Sequence, residues 1–173
     1  MEEKSGLTEN IVHKYNNDDQ LGLALGKIVS GVYVITVQNE NEFDGLLCSF
    51  VQQVAFKPAK IMFSLAKSRP FLRTVKAVQK LTLNILPAQN NQFLKAFGKP
   101  GLSSEERFDM IKFQKQTVFG PIFPEALAYI NLTLDGSYEV GDHEVISANC
   151  NNGVLLNSEL EPMIHIRPDG FKY

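Results

Sequence analysis

The sequence predicts a mainly β fold with a few helices, an antiparallel barrel, from three observations. β-Branched and aromatic runs recur along the chain, each bounded by Pro, Gly, Asn or Asp. Short stretches of helical period interrupt them. Many antiparallel strands in one sheet leave exposed edges unless the sheet closes on itself.

Taken in order, residues 1–17 are polar and aperiodic and are expected to form a flexible N-terminal arm, leaving 18–173 as a single domain. Asp18 or Asp19 is expected to cap a short helix with Leu21, Leu25, Ile28 and Val29 on one face and Gly31 at its end. Val32 to Val37, the polar segment 38–42 and the apolar pattern resuming at Phe43 read as a β-hairpin. Further strands are expected over 46–54, 61–65, 81–86, 130–140, 145–156 and 163–166. One inserted helix is expected to start at Ser68 as its cap, with Phe71, Leu72, Val75 and Val78 inward. Another carries Phe93, Leu94 and Phe97 and stops before Gly98. The stretch from Lys99 to Pro124 reads as a long irregular excursion, too apolar for a linker. Its Phe108, Met110, Ile111, Phe113, Val118, Phe119, Ile122 and Phe123 are expected to pack over the barrel or against a second subunit.

Composition narrows the function. The chain has 173 residues, 44% of them apolar, which suffices for one sizeable core. Its 17 basic and 19 acidic residues include no run of five like charges, so nucleic acid is not an expected partner. No apolar stretch approaches the ~20 residues of a membrane helix. The first residues lack the layout of a secretory signal, so no membrane association and a cytoplasmic location are expected. Cys48 and Cys150 form no CxxC pair, and His13, His143 and His165 show no metal-ligand spacing; no metal is expected.

Three segments carry residue types suited to binding. Ala66-Lys67-Ser68-Arg69, between a strand and a helix, brings backbone N–H groups, a hydroxyl and two cations to one bend. That suits a phosphate, and it equally suits an ordinary Ser cap with solvated basic neighbours. Gly45 to Phe50 presents small polar groups among apolar ones. A flat heteroaromatic ring fits against such a strand, although a half-buried strand with an inert Cys48 accounts for the same pattern. Gly141-Asp142-His143 puts an imidazole at a strand entrance, where it serves either a ligand or a hydrogen-bonded turn.

The order of these segments resembles the FMN-binding split-barrel flavin reductases, most closely the flavin-reductase module at the C-terminal end of cyanobacterial and chloroplast flavodiiron proteins. The resemblance runs over roughly 20–173, through the stretch 25–36, Cys48-Ser49-Phe50, Ala66-Lys67-Ser68-Arg69, Leu83-Asn84-Ile85-Leu86, Glu106-Arg107-Phe108, Ala126-Leu127-Ala128-Tyr129, Gly141-Asp142-His143 and Phe171-Lys172-Tyr173. It implies a homodimeric split barrel with FMN, or FAD, near the subunit interface. Cys48, Ser49 and Phe50 would line the isoalloxazine, Ala66, Lys67, Ser68 and Arg69 would hold the phosphate, and His143 would stand as the catalytic residue where a nicotinamide stacks on the flavin. The implied activity is hydride transfer from NADH or NADPH to flavin and electron delivery to an acceptor, which includes a redox partner protein. Two departures are Lys57-Pro58-Ala59, where relatives carry consecutive prolines, and Glu144, where an aromatic or apolar residue is usual. The diiron and flavodoxin modules of flavodiiron proteins are absent from these 173 residues, so oxygen reduction at a metal centre is not expected. If Glu144 faced the same pocket it would repel a phosphorylated nicotinamide. The chain would then be an FMN-binding electron-transfer module without its own NAD(P)H site. An interaction domain that has lost flavin is a third reading.

Overall fold

The computed structural model describes residues 18–40 and 42–172, and of Asp18 only the backbone. The expected arm over 1–17 lies outside the described residues. Those residues fall into two units, one made by the chain up to Ser30 together with the chain from His165, the other by Gly31–Ile164.

In the first unit, helix α1 (Asp18–Leu25) ends six residues before Gly31. The expected apolar face does not form, since Leu21, Ile28 and Val29 are all exposed. Gly22 and Gly26 lower the helical preference of this segment. The N–H groups of Lys27 and Ile28 reach back only three residues, to Ala24 and Leu25, tightening the chain out of the helix.

The second unit is built on one seven-stranded sheet. Its strands are β2 (Tyr33–Asn39), β3 (Glu42–Cys48), β4 (Val51–Phe56), β5 (Ala59–Ala66), β6 (Lys80–Ile85), β7 (Ala128–Val140) and β8 (His143–Leu155), while β1 (Ser30–Gly31) and β9 (Ile164–His165) are two-residue strands. The spatial order is β3-β2-β6-β7-β8-β5-β4, antiparallel at each step. The strand expected over 46–54 is therefore two strands. At Ser49 and Phe50 the chain leaves one end of the sheet and begins β4 at the other, so the sheet is not closed by hydrogen bonds. It is curled instead, because Ile35, Cys48, Phe63, Leu83, Leu132 and Ile146, from six of its seven strands, share one core with Phe71, Leu72 and Val75 of helix α2 (Phe71–Val78).

Helix α2 starts later than expected. Pro70 is its N-cap and no side chain caps it. Pro has no N–H and a fixed φ, so it is tolerated only at the first turn and sets the start there. Ser68 lies two residues upstream, in the exposed bend.

A second core lies on the other face of β2, where Val34 and Leu86 meet Phe93, Ala96 and Phe97 of helix α3 (Gln92–Phe97), together with Phe108, Ile111 and Phe123. The segment after Lys99 is thus more regular than its sequence suggests. Helix α4 (Ser104–Asp109) opens on a capping box in which Ser103 and Glu106 bond each other's backbone N–H. The following strap, 110–124, packs on the sheet through Ile111, Ile122 and Phe123, whereas Met110 and Val118, also expected to be covered, are exposed. Thr36 Oγ1 donates to Pro121 O at 2.6 Å, Thr82 Oγ1 to Gly120 O at 2.7 Å, and Phe123 N–H donates to Asn84 Oδ1 at 3.0 Å. The strap lies so close that a Cβ on Gly120 would stand 2.0 Å from the Thr36 carbonyl oxygen.

Asn84 is fully buried and bonds both Pro121 O and Thr36 Oγ1, at 3.2 Å each. Asn84→Ala strands the Phe123 N–H in a dry core and is expected to lower stability by about 2 to 3 kcal/mol, measured as a reduced urea midpoint with unchanged slope.

Candidate functional site

The β5–β8 register fixes which side chains meet. Leu65 pairs with Glu144, Phe63 with Ile146 and Ile61 with Ala148, and all six are buried on the core face. The intervening pairs Ala66–His143, Ser64–Val145 and Met62–Ser147 are only half-buried and look outward. The β7–β8 hairpin extends this outer face. Its turn is Gly141-Asp142, with Gly141 at φ 56°, and it sets Val140 against His143 and Tyr138 against Val145. Tyr138 and Val140 are exposed, and Val140 is the cross-strand neighbour of His143. From the fourth strand's entrance, the Phe50 ring reaches within 5.8 Å of the His143 ring, centroid to centroid.

The bend after β5 borders the same face. Lys67, Ser68 and Arg69 are exposed there. Lys67 N–H donates to Asp142 O at 2.9 Å and Arg69 N–H to Ala66 O at 3.0 Å, fixing the bend against the hairpin turn. The Lys67 ammonium meets Glu139 Oε2 at 2.9 Å. Among the described residues, no side-chain hydrogen bond or ion pair holds the Arg69 guanidinium. His143 Nδ1 lies 2.7 Å from Asp142 Oδ1, and this contact holds the Asp142 carboxyl below its usual range.

Six of the eight residues singled out in the sequence stand on this face or its rim, namely Phe50, Ala66, the bend Lys67-Ser68-Arg69 and His143, while Ser49 is half-buried in the link between β3 and β4. Cys48 does not. Its side chain is buried in the first core, with Sγ 3.8 Å from Ser64 O, and burial pushes the thiol up to about 12. Only its backbone is left for a ligand. The candidate site is an open face. A cavity of about 580 Å³ lies elsewhere in this unit, lined by Phe43, Phe108 and Phe113 among others.

Residues 25–172 match the flavin reductase like domain family. The chain belongs to that family. Its similarity to diflavin flavoprotein A 1 of Synechocystis is 31% identity, over 90% of this chain and 27% of that protein, and the chain spans about a quarter of the curated relatives it matches. In fold it is similar to nitrilotriacetate monooxygenase component B from Mycobacterium thermoresistibile, at TM-score 0.78 and 22% identity over 92% of this chain and 86% of that one. It is likewise similar to a Streptomyces globisporus NADH:FAD oxidoreductase, solved with NAD and FAD fragments, at TM-score 0.76 and 20% identity over 84% and 86% of the two chains. At such identities the structures establish the split-barrel fold, and the family match makes the chain a flavin reductase-type oxidoreductase domain. No helix among the described residues is long and apolar enough to cross a membrane.

In this flavin reductase-like domain, sequence reading missed Tyr138, Glu139 and Val140. The signal was available, because a two-residue turn makes Val140 and His143 cross-strand partners and period two then brings Tyr138 to the same side. Glu144 also differs from its conditional role. It turns away from His143 into the core, where Lys76 Nζ at 2.7 Å and Ser137 Oγ at 2.6 Å bond its Oε1.

Those two bonds hold the Glu144 carboxyl below its usual range. A depressed folded-state value stabilises the fold above the unfolded value, ~4.3, and the contribution is lost as pH falls through the folded value. Glu144→Gln is therefore expected to be less stable than wild type at pH 7 and to lose part of the acid limb, so the two urea midpoints converge as pH falls below ~4.

Proposed function

We propose that this domain binds FMN on the outer face of β8, β5 and the β7 end of the hairpin, and reduces it with NADH or NADPH before electrons pass to an acceptor. The observation that carries this reading is the joining, on one uncovered face, of the Phe50 and His143 rings, the small side chain of Ala66 and a bend with an exposed Arg69. These residues fit the group. A flat tricycle needs a smooth apolar bed of about its own width, and a terminal phosphate needs charge-assisted donors at one end of it. FAD fits the same bed, and its added nucleotide would extend beyond the bend.

Bound flavin would supply the hydride acceptor, and the protein would supply binding, orientation and exclusion of water. Arg69 and Ser68 would hold the phosphate, Ser49 and Phe50 would border the ring with the backbone of Cys48, and Ala66 would let it approach the strand. His143, with Nδ1 fixed against Asp142, would present its other ring edge to the nicotinamide. The Streptomyces neighbour is an NADH:FAD oxidoreductase solved with NAD and FAD fragments, which supports a pyridine nucleotide as the reductant here. The burial of Glu144 on the opposite face removes the repulsion that favoured an electron-transfer module without such a site.

Exposed Tyr138 and Val140 border only one wall of the site, which supports a homodimer whose second copy covers the flavin. The reading treats residues 18–173 as one flavin-binding domain acting in the cytoplasm, with a redox partner protein as one acceptor.

Arg69→Ala is expected to weaken FMN about ten- to a hundredfold, the loss of one charge-assisted phosphate bond, in a titration of flavin fluorescence. Unchanged affinity would remove the phosphate role. His143→Ala is expected to slow anaerobic bleaching of the flavin by NADH and NADPH at saturating FMN by more than it changes FMN affinity; equal bleaching rates would leave His143 a purely structural task.

A further inference from the structure

Glu139 is an exposed carboxylate ion-paired to Lys67 of the bend proposed to hold the phosphate. On β7 it stands directly across from Glu144, a like-charged pair that is unfavourable in an antiparallel ladder unless each member finds a cation. Glu144 takes Lys76 and Ser137 on the buried side. Glu139, highly exposed, takes Lys67 at 2.9 Å. The ammonium that would otherwise face a ligand's phosphate is thus already matched by a carboxylate of the protein, with the Asp142 carboxylate also close enough to feel Lys67.

We propose that Glu139 is an internal competitor for the flavin phosphate, a specificity residue that narrows the preference for phosphorylated over unphosphorylated flavin and keeps the flavin exchangeable. This rests on the phosphate site proposed above. A flavin mononucleotide brings about −1.5 to −2 charge to the bend. Either Lys67 leaves Glu139 to meet it, or Lys67 stays and Arg69 meets it alone. In both cases the Glu139 charge opposes the phosphate and does nothing to the uncharged ring system. Because the pair is solvated, the opposition is small and screened by salt.

The test compares FMN with riboflavin, which lacks the phosphate, on the full chain carrying Glu139→Gln. FMN is expected to bind about two- to fivefold tighter at low ionic strength, mostly through slower release, and the gain to shrink in 0.5 M salt, whereas riboflavin affinity stays as in wild type. Glu139→Lys should tighten FMN further in the same order. Equal FMN affinity in wild type and E139Q overturns the proposal, as does an equal change for both flavins, which would mean altered packing. If Arg69→Ala weakens FMN while E139Q changes nothing, the phosphate site stands and the competitor role falls. If wild type binds neither flavin, both readings fall. Should E139Q fail to fold, as judged by circular dichroism, Glu139 is structural and the proposal is overturned.

Discussion

The one-residue alternation between β5 and β8 is the constraint from which the site follows. With Ala66 opposite His143 and Leu65 opposite Glu144, every second pair serves the core and every other pair serves the outer face. A slip of β8 by one residue would bring the imidazole into a cluster of Phe63, Leu65 and Leu132 and expel the carboxylate from its two bonds. Such a slip exchanges all the side chains of a strand between faces, so core packing holds the register and the register places the site. Neither His143 nor Phe50 has to contribute to stability for the geometry to be kept.

The strap over 110–124 accounts for why that outer face stays open. It covers β2, β6 and the first half of β7, where Thr36, Thr82 and Asn84 bond its backbone and Phe123 fills the second core. β2 is therefore buried on both faces, which is why four consecutive residues, Val34 to Val37, are buried. The far half of β7 and the start of β8 receive no such cover within this unit, and Tyr138 and Val140 remain exposed. Coverage on one side and its absence on the other divide a single sheet into a covered part and an open part.

Much of this was legible in the sequence, and what was not has physical causes. Strand positions were readable because their β-branched runs end in strong breakers, Gly141 and Asp142 among them. The break at Ser49 and Phe50 was hidden, because no Pro or Gly marks the place where the chain crosses from one end of the sheet to the other. Ser68 resembled a helix cap, yet Pro70 decided the helix start through its missing N–H. Ser103 and Glu106 carried the signature of α4 inside a segment read as irregular. The face of α1 was over-extended because apolar spacing was allowed to outweigh Gly22 and Gly26. Among the candidate residues, order along the chain identified the segments, but only the packing shows Cys48 turned into the core while the Phe50 ring reaches His143.

The acidic neighbours of the bend show how two like charges on one face of a ladder are kept apart by their partners. Glu139 and Glu144 face each other across β7 and β8, and each is matched by a lysine from a different part of the chain: Lys76 from α2 and Lys67 from the bend. The Glu144 pair is shielded from solvent at the carboxylate and fixed by a second bond, from Ser137 Oγ, so it behaves as part of the fold. The Glu139 pair is exposed at the carboxylate and held by its lysine, so that lysine can change partner at small cost. A buried carboxylate and an exposed one, adjacent in the ladder, thus divide between anchoring the hairpin and tuning what the bend accepts.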